Sequence, residues 1–150
     1  MEVRIEKLGR VSFAAYARQH MVVVDQPETN GGSDVAMTPP ELFLSSLGTC
    51  IGFYVAEYCA ARKLDCEDLE IRVSADLVRP PSRLGNIRVD VNLPVELDRD
   101  RLDAVIRTAL HCTISNTLHY PQEVQVQVHT PVVLAPVSRP IHLDPVAQEN

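Results

Sequence analysis

Apolar and polar residues alternate with a period of two in several stretches of the chain, as in strands that bury one face. The predicted strands lie in residues 2–25 (two strands joined near Leu8-Gly9-Arg10), 71–77, 87–95 and 124–128. A helical period replaces the alternation after Asp98, which begins a predicted helix that ends at Tyr120-Pro121. The elements thus follow the order ββ-α-ββ-α-β once the helix described next is included.

Residues 42–61 form a continuous apolar run with one charged side chain, Glu57. Thr38, Pro39 and Glu41 stand before it in the arrangement of a capping box, which predicts a helix start. The run is long enough to span a bilayer, and a membrane-inserted protein is one alternative. Its serines, glycines and single glutamate favour a buried core helix instead. Because such a helix must be covered on nearly every side, we predict an extensive homodimer.

Short turns between neighbouring strands favour antiparallel pairing, with the helices packed against the sheets. The sequence therefore predicts an α+β fold in a single domain over residues 1–134. Residues 135–150 carry Pro136, Pro140 and Pro145 and are expected to form a loosely ordered tail.

Composition narrows the class of protein. The chain has 14 Lys+Arg against 20 Asp+Glu, a net charge of -6, which argues against binding nucleic acid or acidic lipid through bulk charge. Its first residues are charged and show no apolar signal region, so a cytoplasmic location is expected, with thiols reduced at rest. Four irregularly spaced cysteines do not fit a secreted disulfide scaffold.

No metal, nucleotide or hydrolase motif occurs, so no cofactor or metal is predicted and the cysteines carry the candidate chemistry. Cys59 follows Cys50 by nine residues, which places it on the opposite side of the core helix. Cys66 lies among acidic residues that disfavour a thiolate. Cys112, seven residues after Val105, falls near the apolar face of the second helix. Cys50 and Cys112 are therefore the plausible cooperating pair, although a free cysteine in a helix is most often a small buried apolar residue.

Two segments carry a resemblance to a known family. They are Asp25-Gln-Pro…Gly31-Gly32…Thr38-Pro-Pro-Glu-Leu-Phe-Leu-Ser-Ser-Leu-Gly-Thr-Cys50 and His111-Cys112-Thr-Ile-Ser-Asn-Thr-Leu118. Together they resemble the OsmC/Ohr family of osmotically inducible and organic hydroperoxide resistance proteins, over roughly residues 2–130 and closest to its wider OsmC-like branch. The resemblance implies antiparallel sheets wrapped around a buried central helix in an intertwined homodimer.

The resemblance also implies thiol peroxidase chemistry without a cofactor. Cys50 would attack the O–O bond of an organic hydroperoxide, giving a sulfenic acid and an alcohol, and Cys112 would condense with it to a disulfide. An external dithiol would then reduce that disulfide. Only a thiolate is nucleophilic, and a nearby second thiol traps the sulfenic acid before it is oxidised further.

In this family an arginine oriented by a glutamate activates the first cysteine. Arg10 is the best counterpart for the arginine, and Arg18, inside the second predicted strand, is the alternative. Glu41 is the natural glutamate, but the hydroperoxide reductases carry theirs at the position of Pro40, and helix capping alone would explain Glu41.

A rival interpretation from another class is a non-catalytic dimer that binds a small apolar ligand at its interface. Phe43, Phe53 and Tyr54 are candidates to line an apolar pocket for an organic peroxide, although core packing is the commoner role of such residues. Glu57 is expected to pair with a basic residue across the dimer, and His111 to lie on the surface.

Overall fold

A computed structural model of the chain describes residues 1–120 and 122–131. Its elements are β1 (Arg4–Lys7), β2 (Phe13–Ala17), β3 (His20–Val24), a 3-10 turn (Glu28–Asn30), α1 (Pro39–Ala61), β4 (Glu70–Val78), β5 (Arg83–Asn92), α2 (Arg99–Leu110) and α3 (Thr113–His119). Contacts divide the chain into two units after Asn116. The candidate site and the core described below belong to the first unit.

The strands form two antiparallel sheets, as predicted for an α+β fold. β1, β2 and β3 make a meander, and β4 pairs with β5 in a long hairpin with an irregularity between Ser74 and Asp76. Exposed and half-buried positions alternate along β4 and β5, so that one face of the hairpin packs against the core. This confirms the period-two prediction for these two strands.

The N-terminal segment differs from the prediction of two strands. Arg18 and Gln19 form a two-residue turn, with Ala17 paired to His20, and so divide the second predicted strand into β2 and β3. Arg18 has a φ of 55°, in the left-handed region. Such turns usually carry Gly or Asn, and neither is present to give a sequence signal. Arg18 therefore lies in a turn, and its predicted place inside a strand was wrong.

Helix α1 begins as predicted. The Thr38 hydroxyl accepts a hydrogen bond from the Glu41 N–H, and the Glu41 carboxylate accepts from the Thr38 N–H at 2.7 Å, completing the capping box. α1 is long and apolar enough to cross a membrane by length and composition, yet it packs against β4 and α2. It is thus the core helix, and its buried residues are Leu47, Gly48, Ile51, Val55, Tyr58 and Cys59.

Two glycines on α1 set its distance from the hairpin. A Cβ at Gly48 would lie 2.9 Å from Val73 Cγ2, and one at Gly52 would lie 3.1 Å from Ile71 Cδ1. β4 therefore approaches the helix more closely than any side chain larger than hydrogen would permit at position 48. These two glycines permit the close packing of β4 on α1.

The C-terminal half departs from the prediction in two places. The helix predicted from Asp98 to Tyr120 is interrupted at His111 and Cys112, giving α2 and α3. No strand forms over 124–128 within the described residues, and the alternating valines there are exposed. The predicted tail, residues 135–150, lies outside the described residues, and the single domain over 1–134 stays a prediction.

The close contact at Gly48 predicts that alanine substitutions at Gly48 and Gly52 differ in their effect on stability. Gly48→Ala is expected to lower the free energy of unfolding by about 1–3 kcal/mol, because the branched Val73 side chain has little rotamer freedom with which to yield. Gly52→Ala is the matched control, since its Cβ would meet only the flexible end of Ile71 and alanine gains about 1 kcal/mol in helix propensity. Urea unfolding of both variants measures the difference, and equal destabilisation would contradict this account.

Candidate functional site

Cys50 and Cys112 come together at one side of α1. The core cluster consists of the buried residues Leu47, Ile51, Val55, Tyr58, Cys59, Val105 and Cys112. Cys112 is fully buried, and Cys50 is half-buried and packs against this cluster. Burial raises the pKa of the Cys112 thiol; hydrogen bonding and charge interaction with the Cys50 thiol raise it further, while the backbone N–H of Ser115 opposes them. The pair selected from the sequence is thus a pair of neighbouring thiols, both of them free.

Cys112 lies at the start of a helix, whereas the sequence predicted that it lies within one. Its Sγ accepts a hydrogen bond from the Ser115 N–H at 3.2 Å, and its carbonyl accepts from the Asn116 N–H at 2.9 Å. Cys112 therefore stands where a serine or aspartate usually caps a helix, with its sulfur as the capping group for α3. This contact holds the thiol inward, whereas the neighbouring His111 is exposed as predicted.

Arg10 lies in the turn that joins β1 to β2, which is closed by the N–H groups of Leu8 and Gly9 donating to the Ser12 carbonyl. Its guanidinium packs over Gly31, where an added Cβ would lie 2.9 Å from Nη1. Gly31 has a φ of 80°, so this position needs glycine both for conformation and for space. In the described part of the chain, no hydrogen bond or ion pair joins Arg10 to Cys50 or to Glu41.

The loop that presents Gly31 is organised by a buried carboxylate. Asp25 is 2% exposed and accepts hydrogen bonds from the backbone N–H of Ser33 at 2.9 Å and of Val35 at 3.4 Å. The N–H of Gln26, followed by that of Ser33, lowers the pKa of this carboxyl. Sequence reasoning did not select Asp25 for this role. The sequence signal that identifies such a residue is an aspartate directly after an apolar strand and before a glycine-rich loop. An aspartate at this place commonly starts a turn that is closed by hydrogen bonds to its side chain.

Glu41 is occupied by helix capping. Its Oε2 accepts from the Thr38 N–H and, at 2.8 Å, from the Thr38 hydroxyl, and these two bonds lower the pKa of the carboxyl. The structure therefore joins Glu41 to Thr38, and no hydrogen bond between Glu41 and Cys50 occurs among the described residues. The capping alternative accounts for every hydrogen bond of this side chain in the described part of the chain.

An apolar groove of about 420 Å³ runs between the N-terminal sheet and the first half of α1. It is lined by Ile5, Phe13, Ala15, Val24, Pro39, Leu42, Phe43 and Ser46. Ser46 precedes Cys50 by one helical turn, so Cys50 lies on the same side of α1, one turn beyond the residues that line the groove. Further along this face Phe53 is 60% exposed and contacts Tyr54 edge to face, with ring centroids 5.3 Å apart.

The arrangement defines a class of protein: an α+β protein with a central helix, two adjacent thiols, and an apolar groove that ends one helical turn before one of them. Within residues 1–120 and 122–131, no group of three or more His, Cys, Asp or Glu could hold a metal ion. Residues 31–127, well over half of the chain, match the family model of OsmC-like proteins. The chain belongs to the OsmC-like family, which confirms the resemblance seen in the sequence.

Solved structures agree with this fold. The chain is similar to a protein of Psychrobacter arcticus described as an osmotic stress induced and detoxification response protein, with 20% identity, 77% of this chain and 85% of that chain covered, and a TM-score of 0.71. An organic hydroperoxide resistance protein from Legionella pneumophila is 18% identical, covering 79% and 89%, with a TM-score of 0.57. The organic hydroperoxide resistance protein OhrB of Bacillus subtilis is 15% identical, covering 81% and 93%, with a TM-score of 0.55. A search of curated proteins found no match.

The loop carboxylate gives a pH-dependent prediction. Because the pKa of folded Asp25 is lowered, its contribution to stability is fully present above the ordinary carboxyl pKa of about 4 and is lost as the pH falls through the lowered value. Asp25→Asn is therefore expected to be less stable than the parent at pH 7 and to lose less further stability in acid. Urea unfolding between pH 7 and pH 2 measures both effects.

Asp34→Asn is the control for this experiment, because Asp34 lies exposed in the same loop and has a φ of 53°, a conformation that asparagine tolerates. It is expected to follow the parent at every pH. Parallel acid profiles for the two aspartate variants would overturn the role given to Asp25.

Proposed function

We propose that this chain is a thiol-dependent peroxidase that reduces organic hydroperoxides to alcohols, with Cys50 as the nucleophile and Cys112 as the resolving thiol. The observation that carries the proposal is the adjacency of the two thiols at the helix face along which the apolar groove runs. Membership of the OsmC-like family supports it, as does the fold shared with proteins named organic hydroperoxide resistance proteins.

The reaction follows from the different surroundings of the two sulfurs. The Cys50 thiolate attacks the hydroperoxide O–O bond, taking one oxygen as a sulfenic acid and releasing the other with the organic group as an alcohol. Cys112 then attacks the sulfenic sulfur, its proton leaves with the hydroxyl group as water, and a disulfide forms. An external dithiol restores both thiols by exchange. Burial, which raises the pKa of Cys112, keeps this thiol protonated at rest and so reserves it for the second step.

A cation near Cys50 would favour its thiolate, and Arg10 is our first candidate for that role. Its side chain is exposed and packs over Gly31, within the N-terminal half of the chain that also forms the groove. Arg18, in the β2–β3 turn, is the second candidate. Glu41 would contribute by fixing the start of the helix that carries Cys50.

The second candidate function is non-catalytic binding of a small apolar ligand. The observation that favours it is the groove itself, which is lined almost entirely by apolar side chains. In this case the two cysteines would only pack in the core, and the ligand would displace water from the groove without any covalent step.

The peroxidase proposal is tested with cumene hydroperoxide in a Cys59→Ser/Cys66→Ser background, which leaves only the proposed pair. One equivalent is expected to remove two hydrogen atoms from the intact mass and to release cumyl alcohol. Cys50→Ser is expected to abolish both changes. Cys112→Ser is expected to stop at a sulfenic acid, which dimedone traps, because no second thiol is present to close the disulfide.

In the same assay Arg10→Gln should slow the first oxidation, and Arg18→Gln, a matched loss of charge in the next turn, should not if Arg10 is the activating cation. An unchanged mass together with a Cys50 that resists alkylation in the native protein would reject peroxidase activity in favour of ligand binding.

We also propose that the active form is a homodimer, working in the reducing cytoplasm. α1 is incompletely covered within one chain, with Phe53 60% exposed, and α2 presents an apolar row at Leu102, Ile106 and Leu110. Covering these side chains would remove a large apolar surface from water.

Sedimentation equilibrium is expected to give twice the chain mass of 16.7 kDa. Phe53→Glu should shift the protein toward the monomer, because it would bury a charge in the interface. Val35→Glu, at an exposed apolar residue on a loop, should remain dimeric. A monomeric parent, or equal dissociation of both variants, would count against the α1 face as the interface.

A further inference from the structure

The two remaining cysteines also lie side by side. Cys59 is fully buried in the last turn of α1, and Cys66 is half-buried and packs against the core cluster that contains Cys59. Burial raises the pKa of the Cys59 thiol, and hydrogen bonding and charge interaction with the Cys66 thiol add to the effect. Both thiols are free.

The end of α1 explains how a residue seven positions later returns to the helix. The Leu64 N–H donates to the Cys59 carbonyl at 3.0 Å, and the Lys63 N–H donates to the Ala60 carbonyl at 3.1 Å. Lys63 has a φ of 56°, so the helix ends in a Schellman motif that has lysine where glycine is usual. This motif turns the chain back over the last helical turn.

A second turn then fixes Cys66 itself. The Leu69 N–H donates to the Cys66 carbonyl at 3.1 Å, and the Glu67 N–H donates to the Asp65 carboxylate at 3.2 Å. Leu64 and Leu69 on either side pack against the core cluster. The Cys66 side chain is thereby held inward, although the three acidic residues around it are exposed.

This pair is separate from Cys50 and Cys112. Cys59 lies nine residues beyond Cys50 and thus on the opposite side of α1, facing a different segment of the chain. The pair also lacks a third metal ligand, since no such cluster occurs among the described residues. Two adjacent cysteines outside a metal site can instead form a disulfide.

We propose that Cys59 and Cys66 form a second redox-active pair, which closes to an intramolecular disulfide by exchange with a small external disulfide. The site is defined by the buried thiol at the end of α1, the half-buried thiol that faces it, and the two turns that hold them together. It does not depend on the peroxidase proposal.

The exchange balances in two steps. The thiolate of Cys66, the more accessible of the two, attacks the external disulfide; a protein–reagent mixed disulfide forms and one thiol leaves, taking up the proton that Cys66 lost. The Cys59 thiolate then attacks the Cys66 sulfur and releases the second thiol, which takes the proton of Cys59. Two protein thiols are oxidised, and one external disulfide is reduced to two thiols.

The closed pair would fasten the segment after α1 to the helix end. This segment leads directly into β4, which carries Ile71 and Val73 against the two glycines of α1. Oxidation would therefore stabilise the connection between the core helix and the hairpin, by restricting the unfolded chain. The device responds to the thiol–disulfide balance of its surroundings.

The test uses full-length protein carrying Cys50→Ser and Cys112→Ser, so that failure of the peroxidase proposal has no bearing on the result. Treatment with 2-hydroxyethyl disulfide, an uncharged reagent, is expected to remove two hydrogen atoms from the intact mass, and peptide mapping should join the peptides of Cys59 and Cys66. Adding Cys59→Ala should leave a stable mixed disulfide on Cys66. Adding Cys66→Ala should leave Cys59 unmodified, because it is buried.

The proposal is overturned if the mixed disulfide on Cys66 persists while Cys59 is present, or if both thiols still react with iodoacetamide in denaturant after treatment. Cross-linked dimers on a non-reducing gel in place of the internal disulfide would overturn it equally. Peptide mapping of the protein that carries only Cys50→Ser and Cys112→Ser is sufficient to decide between these outcomes. A poorly folded Cys59→Ala variant therefore does not affect the conclusion. The oxidised form is also expected to resist proteolysis between residues 62 and 69 more than the reduced form, and equal cleavage would count against the fastening role.

Discussion

The structure depends on the need to cover helix α1, which is apolar on more sides than one neighbouring element can reach. One face meets β4 so closely that Gly48 has no room for a side chain, and another packs against α2. The flank that carries Cys50 is covered partly by the N-terminal sheet, which leaves a groove. Because every covering element contacts the same helix, the residues that it presents at successive turns determine what each junction can do.

The sequence predicted the parts of the fold whose signals are local. The capping box at Thr38 and Glu41 is formed within four residues, and the alternation in β4 and β5 reports the one buried face of a hairpin. The features that were not predicted have causes that are not visible in the pattern of apolar and polar residues. The Arg18 turn lacks glycine, and the break before α3 is made by a sulfur acting as a cap, which no standard capping signal announces. The expected strand near Val126 depended on a partner strand.

The predictions for the candidate site also divide into those that agree with the described contacts and those that do not. Helical geometry separated Cys50 from Cys59, because both lie on one rigid element. Cys112 was expected near an apolar helix face, seven residues after Val105, and it is buried although α2 ends before it. Local charge was a poor guide to Cys66, because the Schellman motif at Lys63 returns the chain to the helix and turns that side chain inward from an acidic segment. The arginine and glutamate assignments rest on long-range approach, and here the described contacts lead elsewhere: Arg10 to Gly31 and Glu41 to Thr38.

The two thiol pairs differ in one physical respect that bears on their chemistry. Each pair joins a fully buried cysteine to a half-buried one. In the first pair the half-buried cysteine is Cys50, which lies on the rigid helix near the apolar groove. In the second pair it is Cys66, which lies on a turn. An apolar groove favours an organic reactant, and a turn flanked by charged side chains is accessible to small water-soluble reagents. The two pairs lie on opposite sides of one helix, so their surroundings differ: an apolar groove runs toward Cys50, whereas Cys66 lies on a turn flanked by exposed acidic residues.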